Sequence, residues 1–225
     1  MTDQLLVEPG DSHVRLTLNR PDKRNALSIA LRDDISDALD DIAGDGSMKC
    51  VVITGAGSVF CAGFDLSEFP RATEDEEFGR KLWASSDRYH DTVLRFPLPT
   101  IAAVNGPALA GGFDLAILCD LRIASNTARF AHPERSFGDV VYGPLHDLVG
   151  GSVARDLTIG GREMTAADAL AVGLVNEVAE PEQLVAATDA MVERVCVAPR
   201  DVLIRTKAKA LRRAGFGAEA PTLSL

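Results

Sequence analysis

Two short segments of this chain have the composition needed to hold a developing negative charge on backbone N–H groups. They are Phe60-Cys61-Ala62-Gly63-Phe64-Asp65-Leu66 and Asn105-Gly106-Pro107-Ala108-Leu109-Ala110-Gly111-Gly112-Phe113-Asp114-Leu115. Each follows an apolar run that reads as a buried strand, and the second leads directly into a helical stretch. The first N–H groups of a helix have no partner within it, and they sit at the positive end of its dipole. Groups placed this way favour an oxyanion over a neutral carbonyl. The same glycines could instead serve tight turns or close backbone packing.

Other chemistries are argued against by missing patterns. There is no G-x-x-x-x-G-K-[ST] to cradle a triphosphate and no G-x-S-x-G nucleophile elbow. Gly55-Ala56-Gly57 follows a strand as a dinucleotide fingerprint would, but Phe60 occupies the third glycine position and a loop follows. The four cysteines (Cys50, Cys61, Cys119, Cys196) show no C-x-x-C spacing and no paired histidines, so neither a zinc site nor a disulfide framework is expected. Cys61 reads as a small buried residue, since no base for a thiol is identifiable beside it.

The elements that would position these segments follow from periodicity. Val14, Leu16 and Leu18 alternate with polar residues, as in a half-buried strand that ends at the turn Arg20-Pro21-Asp22. Leu27, Leu31, Ile35, Leu39 and Ile42 recur at helical spacing up to Gly44, with Asp33, Asp34, Asp37, Asp40 and Asp41 expected on the surface. Cys50 to Thr54, Thr100 to Val104 and Leu121 to Ala124 read as buried strands, and Phe113 to Cys119 as a helix between the last two. Strands and helices thus alternate through the first 125 residues, an α/β pattern. The acidic stretch Arg71 to Asp91 reads as a loop leading into a helix.

Beyond residue 150 the pattern is mostly helical. Thr165 and Asp168 have capping-box spacing, with the short helix stopping at Gly173. Leu174 to Val178 reads as a brief strand, Glu182 to Val195 and Arg200 to Arg213 as helices, and the segment from Gly215 as a frayed tail. One domain is expected over residues 1–225, with an α/β core to about residue 150.

At 46% hydrophobic and 25% charged, the composition is that of an ordinary globular protein. A net charge of −10 argues against a generic nucleic-acid or anionic-membrane surface, since phosphate binding relies on clustered Lys and Arg. No signal-peptide core is visible in residues 1 to 20 and no run reaches transmembrane length, so a cytoplasmic protein with reduced thiols is expected.

Five blocks in order resemble the crotonase (enoyl-CoA hydratase/isomerase) family over roughly residues 12 to 212. They are Arg20 to Leu27, Phe60 to Leu66, Ala103 to Asp120, Phe130-Ala131-His132-Pro133-Glu134, and Gly173 to Val178. The resemblance implies a spiral of ββα units with a helical C-terminal region, and a homotrimer or hexamer. It implies an acyl-CoA thioester as substrate, with coenzyme A a part of that substrate and no separate cofactor or metal. The N–H groups of Phe64 and Gly111 would hold the thioester oxygen. Lys23 and Arg24 would sit near the coenzyme A phosphates, with the backbone around Ala26, Ala62 and Leu66 near the adenine and Gly63 and Asp65 in the same segment.

By the same resemblance, Asp114 and Glu134 match the two carboxylates of family hydratases. Such a pair can orient a water and shuttle its proton to the α carbon. A Δ3,Δ2-enoyl-CoA isomerase using Glu134 alone and a non-catalytic acyl-CoA-binding or scaffold relative stand as alternatives. This sequence departs from the family pattern in three places. Asp114 stands where Glu is usual. Gly138-Asp139-Val140-Val141-Tyr142-Gly143-Pro144-Leu145-His146-Asp147 replaces a Gly-Gly-Thr-Gln-Arg-Leu-like helix start, and the closing helices are trimmed. His146 and Asp147 suggest a dyad, but neighbours on a helix do not face each other.

Overall fold

The computed structural model describes residues 2–215. Strands β1 (Leu5–Pro9) and β2 (His13–Leu18) form an antiparallel pair, and helix α1 (Ile29–Gly44) returns the chain to β3 (Cys50–Gly55). Helices α2 (Phe69–Glu74) and α3 (Glu76–Arg95) then lead to β4 (Thr100–Val104), the short β5 (Ala108–Leu109) and α4 (Gly111–Leu118). Next come β6 (Leu121–Ser125), β7 (Arg129–Ala131), α5 (Gly143–Arg155), β8 (Met164–Thr165) and α6 (Ala166–Ala171). Strand β9 (Glu177–Ala179) and helices α7 (Leu184–Cys196) and α8 (Arg200–Ala214) complete it.

The large sheet has the order β1-β2-β3-β4-β6-β9 and is parallel from β2 onward. After each of β2, β3, β4 and β6, the chain lays a second short extended segment beside the previous one. Leu27 bridges Phe64, Cys61 bridges Ala108, and β5 pairs with β7, which pairs antiparallel with β8. This repeated strand, short strand and helix is the expected ββα spiral. It brings the two glycine segments onto adjacent turns.

Burial explains why the parallel strands read as apolar runs. Val51 and Ile53 face the main core, whereas Cys50 and Val52 face Leu184, Met191 and Val192 of α7 on the other side of the sheet. Helix α1 is capped by Ser28, whose Oγ accepts from the Leu31 amide at 3.2 Å. Asp34, expected on the surface, is 7% exposed, because it lies on the same side of α1 as Leu31, Ile35 and Ala38.

Helix α4 is buried along its whole length, so its ends need partners. Its C-terminal end is closed by Arg122, a buried guanidinium that donates to the carbonyls of Ala116 at 3.2 Å and Cys119 at 2.5 Å. Its N-terminal end opens into a cavity.

Two expected elements come out differently. Arg71 to Asp91, expected as a loop leading into a helix, is helical almost from its start, with Asp75 capping α3 through the Phe78 amide at 3.0 Å. The buried side of α3 includes Gly79, Ser85, Ser86 and His90 beside Leu82, Tyr89 and Val93, so its apolar period is masked. Leu174 and Val175 are not in a strand, because both amides donate to the Ala169 carbonyl at 2.8 and 3.2 Å in the turn that ends α6. The capping box of α6 is formed as expected. The tail beyond Gly215 lies outside the described residues, and among those described no helix is long and apolar enough to cross a membrane.

Candidate active site

The two glycine segments meet at the N-terminal end of α4. The Leu109 amide donates to the Cys61 carbonyl at 2.9 Å, and the Ala110 amide to the Ala131 carbonyl at 2.9 Å, which pins the turn from both sides. A side chain on Gly112 would place its Cβ 2.2 Å from the Cys61 carbonyl oxygen, so glycine is required for this approach. Ala110 takes φ 52°, ψ −133°, a conformation costly for any residue with a Cβ, and Gly111 follows immediately. Strain of this kind persists only where surrounding contacts impose it. Among the described residues neither the Phe64 nor the Gly111 N–H has a protein acceptor. Phe64 is fixed by its neighbours instead: its ring lies 4.4 Å from the buried Arg32 guanidinium, and the adjacent Gly63 carbonyl and Asp65 amide both bond Leu27.

Below these amides lie Asp114, in the first turn of α4, and Glu134, in the 3-10 turn Pro133–Ser136 after β7. Asp114 Oδ1 and Glu134 Oε2 are buried without a hydrogen-bond partner among the described residues. Between the carboxyls stands His132. Its Nδ1 is 2.9 Å from Glu134 Oε1 and 3.8 Å from Asp114 Oδ1. Burial pushes the Asp114 carboxyl up to about 7; His132 opposes that rise, and the charge of Glu134 adds to it. One donor atom from each of these three residues lies within 4.8 Å of the others, close enough to meet around a cation. The Nδ1–Oε1 bond and the enclosure of the other ring nitrogen give instead a hydrogen-bonded cluster.

These groups face a cavity of about 510 Å³ lined by Ala62, Phe64, Leu66, Gly111, Asp114 and Glu134, all singled out from the sequence. Phe69, Trp83 and His90 from α2 and α3, with Ala110, Pro133 and Phe137 to Val141, form the rest of the wall. Burial holds His90 down to about 4, so it is uncharged near neutral pH.

The other expected residues sit around this cavity rather than in its wall. Gly63 packs on Ala110 and Gly111. Lys23 and Arg24 are exposed in the turn that follows β2, where the Arg24 carbonyl accepts from the Ala62 amide at 3.0 Å. The Ala26 carbonyl accepts from the Arg20 guanidinium, which also pairs with Asp65 at 2.9 Å. Asp65 is further engaged by the Ser67 amide and hydroxyl at 3.1 and 2.6 Å.

His146 and Asp147 do not form a dyad, since the His146 Nδ1 to Asp147 Oδ1 distance is 3.7 Å and both side chains are well exposed. Asp139 reaches the cavity wall, whereas Tyr142 packs on His146. Cys61 is fully buried with its thiol pushed up to about 12 by burial, in keeping with a packing role. His132 escaped the sequence reading as a site residue. The only signal was its position two residues before Glu134, across a proline.

Known proteins resemble this chain over most of its length. The profile of the enoyl-CoA hydratase/isomerase family matches residues 10–219. A putative enoyl-CoA hydratase of Thermus thermophilus is 38% identical over 221 residues, covering 95% of this chain and 87% of the relative. A short-chain-enoyl-CoA hydratase of Clostridium acetobutylicum is 34% identical over 203 residues, 88% of this chain and 77% of the relative. The crystal structure of an enoyl-CoA hydratase from Mycobacterium tuberculosis H37Rv superposes with a TM-score of 0.80 at 36% identity, covering 94% of this chain and 87% of that one. An enoyl-CoA hydratase structure from Bacillus anthracis gives 0.87 at 30% identity, over 96% and 85% of the two chains. With fold, sequence profile and full-length relatives in agreement, the chain belongs to the enoyl-CoA hydratase/isomerase family, of the crotonase superfamily, whose members act on acyl-CoA thioesters.

Proposed function

We propose that this protein adds water across the double bond of a trans-2-enoyl-CoA to give the 3-hydroxyacyl-CoA. The observation that carries this reading is a pair of partnerless carboxyl oxygens, Glu134 Oε2 and Asp114 Oδ1, in the same cavity as the Phe64 and Gly111 amides. Glu134 Oε2 accepts a proton from a water whose oxygen bonds to C3. Electrons from the double bond move onto the thioester oxygen, which the Phe64 and Gly111 N–H groups stabilise. Such a donor is worth roughly 3 kcal/mol in comparable oxyanion sites. Glu134 then returns the proton to C2, and the net change is one added water.

Asp114 Oδ1 accepts a hydrogen bond from the O–H that this water keeps, in either protonation state of the carboxyl. Lys23 and Arg24 would meet the coenzyme A phosphates, with the backbone of Ala26, Ala62 and Leu66 at the adenine. The coenzyme A arrives as part of the substrate, so the reaction needs no separate cofactor. Assembly as a trimer or hexamer belongs to the same reading and is measured by light scattering.

A second reading is a Δ3,Δ2-enoyl-CoA isomerase, favoured by the single carboxylate that His132 holds and by the raised Asp114 carboxyl. Glu134 alone would then move a proton from C2 to C4.

Product analysis by mass and NMR over a panel of 2-enoyl- and 3-enoyl-CoAs separates the readings. Hydration predicts gain of one water from 2-enoyl substrates and its loss in Glu134→Gln. Conjugation of a 3-enoyl-CoA without hydration selects the isomerase. Binding without turnover, unchanged in Glu134→Gln, would leave an acyl-CoA-binding protein.

A further inference from the structure

The two carboxyl groups of the cavity are not held alike. His132, whose side chain has no exposed surface, packs its ring on Phe113 with centroids 4.7 Å apart and planes inclined by 32°. Its Nδ1 lies within hydrogen-bond distance of Glu134 Oε1, at 2.9 Å, while Asp114 Oδ1, at 3.8 Å, is beyond it. The other ring nitrogen, Nε2, is enclosed with no partner among the described residues. With Nε2 enclosed, Nδ1 is the ring nitrogen placed to donate, and Glu134 Oε1 is the acceptor within its reach.

We propose that His132 is a positioning residue that sets the two acids apart: its Nδ1–H holds Oε1 of Glu134 and aims Oε2 into the cavity as the base, while Asp114 Oδ1 receives no such donor. Pro133 opens the 3-10 turn between the two partners, so the arrangement is local and stiff. Three other titratable groups near the cluster are uncharged near neutral pH. Cys61 and Tyr89 are pushed up by burial and His90 is pushed down by it. Asp139 at the cavity wall is the one further carboxylate among the lining residues described. The raised Asp114 carboxyl agrees with this division.

The proposal rests on the hydratase or isomerase reading only in using turnover as one of its readouts. His132→Leu removes the donor, and His132→Asn, of similar size, offers an amide N–H near the Nδ1 position. His132→Leu is expected to lower kcat about 100-fold and to shift the acidic limb of the kcat profile up by about one pH unit. Binding of butyryl-CoA, which has no double bond to react, should stay within about a factor of two. His132→Asn should restore at least about tenfold of the lost rate.

A readout free of turnover is the titration of the Glu134 carboxyl by 13C NMR, assigned by its disappearance in Glu134→Gln. It should ionise at lower pH in the wild type than in His132→Leu. Should His132→Leu fail to fold, the same comparison is made between wild type and His132→Asn, which should agree closely, and His132→Gln, which should titrate higher. A Glu134 titration unmoved by loss of the donor, or a rate loss with an unchanged pH profile and no rescue by Asn, would overturn the proposal. Wild-type protein inactive on every enoyl-CoA would sink the hydratase and isomerase readings and leave the NMR test of His132 intact.

Discussion

Gly63 lies so close to Gly111 that a Cβ on Gly63 would stand 3.0 Å from the Gly111 amide nitrogen and 2.7 Å from the Ala110 Cβ. The two backbones that supply the proposed oxyanion donors therefore touch, and Gly63 itself has φ +91°. Gly63→Ala should destabilise the fold by about 1–3 kcal/mol through overpacking and backbone strain. It should also cut kcat by about 100-fold or more by displacing a donor. Gly44→Ala is the control, since nothing lies within 4 Å of its added Cβ. Full turnover in Gly63→Ala would show that this contact does not build the site.

Phe64 is held from behind by Arg32. This guanidinium donates to the carbonyls of Leu27 and Leu82 at 2.8 and 3.2 Å and to Ser85 Oγ at 3.3 Å, and lies 4.4 Å from the Phe64 ring. Arg32→Met keeps most of the volume but leaves those buried carbonyls unpaired, for an expected loss of about 2–4 kcal/mol in urea unfolding. The turnover of the folded fraction should fall with it, because Phe64 loses its support. A variant as stable as wild type would mean that Arg32 is dispensable to this wall.

The sequence carried the fold far because its signals are local. The alternation at Val14, Leu16 and Leu18, the apolar run at Cys50 to Thr54 and the Thr165–Asp168 box each depend on neighbours along the chain, and each appears in place. What stayed hidden depends on distant partners. Arg32 is buried only because α3 covers it, and the helical face of α3 is masked by Gly79, Ser85, Ser86 and His90. His132 is an ordinary loop residue in the chain, and its importance arises only where α4 brings Asp114 and Phe113 beside it. Composition cannot report that neighbourhood.

Lys207 ties α8 to the core by a mostly buried ion pair. Its Nζ is 2.7 Å from Asp120 Oδ2 and 3.0 Å from the Leu98 carbonyl, and its side chain is 4% exposed. Lys207→Met retains the stem and removes the charge. Because Asp120 is 30% exposed, water can solvate the carboxylate left behind, so the expected cost is about 1–2 kcal/mol rather than the larger loss of a fully enclosed pair. Hydrogen exchange should show α8 opening before the main sheet in this variant. Exchange in α8 matching wild type would place the anchor elsewhere.

Asp114 gives a stability effect whose sign depends on pH. Its carboxyl is raised to about 7, foremost by burial, whereas the unfolded chain ionises near the ordinary aspartate value of about 3.9. Well below pH 4 both states hold the proton and the group contributes no difference. As pH rises toward 7 the unfolded state releases its proton first, so the folded state loses stability, and above 7 the penalty is complete and constant. The linkage limit is about 4 kcal/mol, which relaxation and water entry should reduce to roughly 1–3 kcal/mol. Asp114→Asn has nothing to ionise and should be more stable than wild type at pH 8, by an amount that shrinks toward pH 4. Its Oδ1 still accepts a hydrogen bond, so turnover should fall less than in Glu134→Gln. Paired denaturant melts at pH 4.5 and pH 8 check the stability claim. Equal stability differences at the two pH values would mean that Asp114 is ionised in the fold throughout that range.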